Sequence, residues 1–578
     1  MLRSATAGYK SSVNPSSVLW PRAAVAALFL CAAPAARAQT DLGARLDEHL
    51  QRLVPWGFSG SVLVARADRV VLAAGYGFAD RARASANTAQ TQFPLGALSQ
   101  QFTAAAVLLL ADEGQLSLDD HLGSRLDGVP QDKQGITLRH LLLQQSGLPL
   151  DVGGPFDRVE AKEDALARVL GAPLLFSPGA RSSVSNAGYA LLCAVVEKTS
   201  GTSFEDFVRE NILKRSGMHG TVFIGDPRAT ELTLARSYGD ERDGESPAAW
   251  QPSWPLRGVG AMACSVGDLY RWERALKPDV LLSARAVELM HSPGLGNAAM
   301  GLQIERGESG KRVAQRGSQL AGFQSEIRRG LDDPLSWALL LNEPMPAAVM
   351  HVEALLSGKT VALPPEVAAL DGRMGAAAAG TYELPGGGRF RVSFDRGRLS
   401  VAAENQGGVD ALSQPTADEQ AWAADAGRRT LALCEALRGR DFPAIAAMLG
   451  RTAQEVDGQL GSWWRRLEDR LGGSGAPKLV ASLARAETVV ARLEFERGSE
   501  LVWFAWNGGS LRSFQPGPAI FQSSGLWPAK DGGFVSYDPA SFTQRRLALM
   551  LRADGSVRGL SFPADGGDAS ELGARRLD

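Results

Sequence analysis

The amino-acid sequence predicts an α+β domain, an antiparallel sheet plus a helical region, followed by a β-rich tail that carries an α+β insert. Three observations lead there. Strand-like runs lie at residues 59–65 and 337–341, with Ala/Leu-rich helical stretches between them. A sheet assembled from both ends of a segment, with helices enclosed, is an α+β arrangement. After an Ala/Pro/Gly-rich stretch at 361–379 come short strands, then helices, then strands again, as in a small barrel or sandwich holding an inserted unit.

Each element has its own signal. Residues 59–65 and 70–74 flank a polar turn at Ala67-Asp68-Arg69 and read as a β-hairpin. Residues 99–113 contain no Gly or Pro, and Gly114 ends them, so a buried helix is expected. A short helix is expected at 136–143, ended by Ser146-Gly147. Pro178-Gly179 marks a turn, and 186–198 reads as a helix stopped near Gly201. Trp337-Ala338-Leu339-Leu340-Leu341 is apolar at every position, as in a strand buried on both faces. In the tail, Gly380-Thr381-Tyr382 and Arg389-Phe390-Arg391-Val392 open a run of strands with turns such as Asp395-Arg396-Gly397. Helices are expected at 422–437 and 442–471, and strands at 489–495, 501–506 and 547–551. The expected division is a first domain at 39–360, a linker at 361–379, a β-domain at 380–417 with 516–578, and an insert at 418–515.

Composition excludes several classes. The 578 residues carry 61 Lys+Arg against 63 Asp+Glu, for a net charge of -2. Nucleic-acid binders and polybasic membrane-surface proteins need a cationic excess, so neither is expected. Only 10 residues are Lys and 6 are His, so most positive charge is Arg, which does not serve as a base at neutral pH. Arg3, Lys10 and Arg22 precede an apolar run at 23–36 that ends in Ala36-Arg37-Ala38, a small-x-small cleavage pattern. A signal peptide at 1–38 and export to the periplasm or medium are therefore expected. Cys31 follows Leu30, which disfavours a lipid anchor, and no transmembrane span is expected elsewhere. Cys193, Cys264 and Cys434 form no disulfide framework. No metal motif occurs, and no cofactor is implied.

Several phrases occur in a telling order: Phe58-Ser59-Gly60-Ser61-Val62-Leu63-Val64-Ala65, Phe93-Pro94-Leu95-Gly96, and Glu113-Gly114-Gln115-Leu116-Ser117-Leu118-Asp119-Asp120. They continue with Ile136-Thr137-Leu138-Arg139-His140-Leu141-Leu142, Ser146-Gly147-Leu148-Pro149, Phe176-Ser177-Pro178-Gly179, Ser185-Asn186-Ala187-Gly188-Tyr189 and Gly322-Phe323. Over residues 45–345 the chain resembles the serine β-lactamase and penicillin-binding-protein-like family, nearest its class C β-lactamase and esterase branch. The resemblance implies acyl transfer. A Ser attacks a carbonyl, a Lys three residues on helps remove its proton, and a Tyr in a Tyr-x-Asn motif supports the transfer. A strand motif with Lys or His lines the far side, and backbone N–H groups form an oxyanion hole.

At the matching positions this chain reads differently. Ala97 stands at the nucleophile place, Gln100 at the Lys place, Val184 at the Tyr place and Arg316 at the strand His place. Asn186 and the closing Gly322-Phe323 remain. Losing one member of such a unit removes most of the chemistry. The expectation is a pseudoenzyme without catalytic residues. Its retained cleft, with Asn186, Arg316, Ser318 and Gly322 as candidate ligand contacts, would bind a peptide, a muropeptide or another small acyl compound. The bland alternative is a pocket filled by Val184 and Gln100. Two other readings stay open. One is an active serine hydrolase (esterase, peptidase or β-lactamase-like) with a relocated nucleophile at Ser99 or Ser318. The other is a structural or assembly protein acting through its tail. His140 and the pair Gln144-Gln145 read as structural. The strands from Gly380 onward, with the turn at Ala553-Asp554-Gly555-Ser556-Val557, resemble a lipocalin-like β-domain, and the insert resembles cones of the nuclear-transport-factor-two type. Trp463-Trp464 with Arg465-Arg466 offers either a partner surface or ordinary helix packing.

Overall fold

The computed structural model describes residues 41–577 except 151–159, 240–242, 252, 308, 369–371, 396–397, 414, 485–486, 508, 517–520, 530–533, 540–542, 552–556 and 563–571. The segment 1–38, expected to be a signal peptide, and the turns at 396–397 and 553–556 lie outside the described residues.

The first domain is organised by a seven-stranded antiparallel sheet. Its order is Arg69–Tyr76, Ser59–Arg66, Leu335–Glu343, Phe323–Gly330, Arg312–Leu320, Leu302–Arg306 and Ala298–Ala299. The early strand thus pairs directly with the late one, Val62 opposite Leu339 and Val64 opposite Trp337. The expected hairpin forms with Ala67 and Asp68 both at positive φ, the pair of left-handed residues that suits the twist of a two-residue turn. Side chains alternate across a strand. Ala338 and Leu340 therefore face the helical core, while Trp337, Leu339 and Leu341 face the opposite layer. That is why the run is apolar at every position.

On one face pack the helices Gln100–Asp112, Leu138–Leu142 and Asn186–Ser200. Each has a local stop or start. Thr137 accepts from the His140 N–H while His140 Nδ1 accepts from the Thr137 N–H, a capping box. The helix expected to run to Leu143 ends at Leu142, because Gln144 turns left-handed at φ 59. Ser185 caps the next helix, and Gly201 closes it in the left-handed conformation. On the other face lie a helix at 41–53 and the helix Ala347–Leu356.

The tail is β–α–β, as the sequence suggests. Eight strands close into a barrel, from Gly380–Glu383 to Leu572–Arg576, which pair with each other. Between Arg398–Ala403 and Phe521–Pro528 the chain leaves the barrel. It builds helices backing the four-stranded sheet Lys478–Leu483, Thr488–Phe495, Gly498–Asn507 and Ser510–Pro516. The helix Gln406–Ser413 lies between the barrel strands and this unit, with Val409 in the barrel's apolar cluster. The expected single helical stretch 442–471 is broken, since Gly450 ends Phe442–Leu449 in the left-handed conformation. Within the stretch read as a linker, Gly372–Ala378 is helical, with Gly375 and Ala378 buried. Trp464 is buried and Trp463 packs edge-on against Phe514 at 4.7 Å, so the Trp pair is core packing and not an exposed partner surface. Cys193, Cys264 and Cys434 are buried free thiols.

The barrel docks on the first domain through Val535 and Tyr537, beside a buried histidine pair. His49 Nε2 lies 2.7 Å from His351 Nδ1, and His351 Nε2 lies 2.9 Å from the Pro539 carbonyl oxygen. Burial first, then His351 and Arg52, lower His49 to about 4. An unfolded His titrates near 6.5. Between these values the unfolded chain binds more protons, so this contribution is complete above about pH 6.5 and declines as pH falls toward 4. The urea midpoint of the full chain should drop between pH 7 and pH 4.5. The drop should be smaller in His49→Gln; an equal drop would remove His49 from the account. His291, also lowered to about 4 by burial, leaves a residual slope.

Candidate functional site

The site forms where the strand Arg312–Leu320 meets the turn Gly96–Ser99 that opens the long helix. Two features hold that turn. Ser325 Oγ donates to the Leu95 carbonyl at 2.7 Å. Gly96 sits at φ 53 with Ser318 Oγ so close that an added Cβ would stand 2.3 Å from it. A side chain at position 96 is therefore excluded both by conformation and by space.

Ala97 is partly exposed at this junction, and its N–H donates to Ser318 Oγ at 2.9 Å. Three residues on, Gln100 is 0% exposed. Its Nε2 donates to Asn186 Oδ1 at 3.0 Å. Its Oε1 accepts from Arg316 Nη2 at 2.9 Å and from Gln144 Nε2 at 3.3 Å. Gln144 Oε1 in turn accepts from the Ser185 N–H at 2.8 Å. The three amides Gln100, Gln144 and Asn186, with the Arg316 guanidinium, thus form one hydrogen-bonded cluster.

Arg316 is 8% exposed, and burial lowers its pKa from the usual range, opposed by nearby Tyr189 and Glu326. An arginine at this depth keeps its proton. Its Nε is buried without a hydrogen-bond partner, as is Ser99 Oγ. Tyr189, on the helix that carries Asn186, donates its hydroxyl to the Leu142 carbonyl at 2.8 Å, and burial raises its pKa.

The structure therefore brings Ala97, Gln100, Asn186, Arg316 and Ser318 together. Val184 does not close the cleft. It is 41% exposed, lying in the extended segment before the Ser185 cap, so it does not fill the pocket. The filling is done by Gln100 and Arg316. Gly322 forms, with Ala321, the positive-φ pair at the tip of the hairpin between Leu320 and Phe323, and its place is explained by turn geometry. Ser99 points into the packed start of the helix, 1% exposed. His140 is structural, as its cap role shows. The residue that sequence reading missed is Gln144, set aside as structural. Its signal was available: amides stand at 100, 144 and 186 at once, and amides satisfy one another in a buried cluster. Among the described residues no three His, Cys, Asp or Glu are placed to hold a metal, and no helix is long and apolar enough to cross a membrane.

This arrangement of sheet, helices and site turn is that of a serine-hydrolase scaffold. Residues 51–360, more than half of the chain, match the Beta-lactamase family, and the chain belongs to that family. Penicillin-binding protein 4* of Bacillus subtilis (strain 168) is 26% identical over 383 residues, covering 60% of this chain and 84% of that protein. A D-aminopeptidase of Gluconobacter oxydans (strain 621H) is 25% identical over 424 residues, covering 68% of this chain and 79% of that protein. The crystal structure of a penicillin binding protein from Bacillus halodurans aligns with a TM-score of 0.47 at 25% identity, covering 54% of this chain and 98% of that one.

Gln100 gives the site a measurable stake in stability. Gln100→Lys would place an ammonium against Arg316 and remove the oxygen that Arg316 and Gln144 share. Leaving buried polar groups unpaired costs about 1–3 kcal/mol. Urea unfolding should show a loss of that order for Gln100→Lys, with partial recovery in Gln100→Lys/Arg316→His.

Proposed function

We propose that this chain is a catalytically silent member of the β-lactamase family that holds a ligand or partner instead of hydrolysing an acyl substrate. The Gln100 amide carries this reading. It stands, fully buried, at the place of the family's base and is committed to Asn186, Gln144 and Arg316. A neutral amide takes up no proton at neutral pH. Ala97 offers no nucleophilic atom. Its N–H, which an oxyanion hole would need, is engaged by Ser318 Oγ.

The same bond weighs against Ser318 as a relocated nucleophile. Attack would require giving up that position, and Arg316 cannot accept the proton. Ser99 is too buried to meet a substrate. The family is nonetheless one of hydrolases, and relatives are named penicillin-binding protein and D-aminopeptidase. A peptide-like or muropeptide ligand with a carboxylate is therefore the class to try first, because Arg316 brings positive charge to the site. The signal-like run at 23–36 supports export. The eight-stranded barrel supports a lipocalin-like reading of the tail, and the helix-backed sheet a cone-like reading of the insert.

Purified protein should give no stable label with a fluorophosphonate and no turnover of a chromogenic β-lactam or an ester panel. A covalent label on any Ser would overturn the proposal. Ala97→Ser/Gln100→Lys/Val184→Tyr should regain measurable acylation, and adding Ser318→Ala should raise that rate at least tenfold by freeing the Ala97-position N–H. A folded but inert quadruple variant would mean the cleft is no longer shaped for acyl groups.

A further inference from the structure

The sheet has a second concave site on the face opposite the one that carries Arg316. Alternation decides which residues it receives. Ala314, Ile327 and Ala338 face the helical core. Their neighbours Val313, Arg328 and Trp337 therefore face the other way. That outer face is covered by the helix Ala347–Leu356 only in part. Beyond the helix lies a cavity of about 1010 Å³, lined by Val313, Leu335, Trp337, Met350 and Leu356 among others. It stands at the upper limit of the size range of small-molecule sites, roughly 300–1,000 Å³.

Its charge is unlike that of the chain. Arg66, Arg306, Lys311, Arg312, Arg328 and Lys359 line it, against the carboxylates of Glu305, Asp333 and Glu353. Six cations face three anions, in a protein whose overall balance is -2. Three of the six cations are held by carboxylates: Arg328 pairs with Glu353 and Glu326 and lies 5.6 Å above the Trp337 ring, Lys311 bonds Asp333 at 2.9 Å, and Arg312 pairs with Asp332 at 2.8 Å. Arg66 Nε, in contrast, is buried with no hydrogen-bond partner. Met350 on the covering helix is 48% exposed, an apolar side chain at the site with no apolar cover. The floor strands Arg312–Leu320 and Phe323–Gly330 are each paired on both sides where they line the cavity. A peptide could not add there as a further strand, so recognition must come from apolar contact and charge.

We propose that this groove binds a single-chain anionic amphiphile, its aliphatic part on Met350, Leu356 and Leu335 and its carboxylate or phosphate head at Arg66. The proposal is independent of the catalytic reading, because the groove lies on the other face of the sheet.

The test is calorimetric titration of the full chain with dodecyl phosphate and with laurate, each below its micelle concentration. Dodecanol and dodecyltrimethylammonium serve as neutral and cationic controls. Saturable binding of both anions is expected, at least tenfold tighter than either control. Comparing the two anions separates a phosphate head from a carboxylate. Arg66→Glu and Met350→Glu should each weaken binding at least tenfold, while Ala97→Ser should leave it unchanged. Met350 is exposed, so its variant should keep the parent's unfolding midpoint and read the site alone. No saturable binding, equal binding of the cationic control, or indifference to both groove variants would overturn the proposal. So would tighter binding of a Glu/Leu-rich peptide than of either amphiphile.

Discussion

The pairing of Ser59–Arg66 with Leu335–Glu343 is the constraint on which the other parts of the first domain rest. It joins segments far apart in sequence, so the loop between them must be closed before either strand gains its partner. What offsets that cost is burial on two faces at once. Val62, Leu339, Leu340 and Leu341 are each 0% exposed, and burying such a side chain contributes about 1.5–3 kcal/mol. The fit is close. At Gly60 an added Cβ would stand 2.1 Å from the Leu340 carbonyl oxygen, so the bulge between Ser59 and Gly60 admits no other residue without backbone movement. Once this pair is set, Phe323–Gly330 and Arg312–Leu320 follow in register, and Arg316 and Ser318 arrive against Gly96–Ser99.

The site is held together by polar side chains that bond to one another. Here Gln100, Gln144 and Asn186 form a cluster of amides around the Arg316 guanidinium, whose Nε stays buried without a hydrogen-bond partner. The Ser318 hydroxyl takes the Ala97 N–H in the same way. A buried network of this kind stabilises its surroundings when its members are satisfied and is costly when one is removed. Gln100, Gln144, Asn186 and Arg316 therefore carry a structural role, whatever else they do.

Much of the architecture was legible because it is written in local patterns. The hairpin at Ala67-Asp68, the buried helix after Gln100, the stop at Gly201 and the two-faced strand at 337–341 all follow from period, turn residues and caps. The failures were also physical. The run 442–471 looked continuously helical because one Gly costs a helix only about 1 kcal/mol, yet Gly450 closes a helix in the left-handed conformation. Val184 could be read from its motif position as filling the pocket, but its exposure depends on how the segment before Ser185 crosses the surface. Gln144 was passed over because nothing local distinguishes an amide that caps a loop from one that reaches Gln100.

The sequence by itself determined the family frame and the chemistry at its positions: no hydroxyl at 97, no amine at 100, no phenol at 184 and a guanidinium at 316. Covalent identity cannot be altered by folding. Only the tertiary structure decided what those residues became together. Residues 97, 100, 144, 186 and 316 are separated by long stretches of chain, and their hydrogen bonds exist only once the sheet and helices converge. The same holds for the basic groove, whose cations come from separate strands and a helix and share a face because side chains alternate across a sheet.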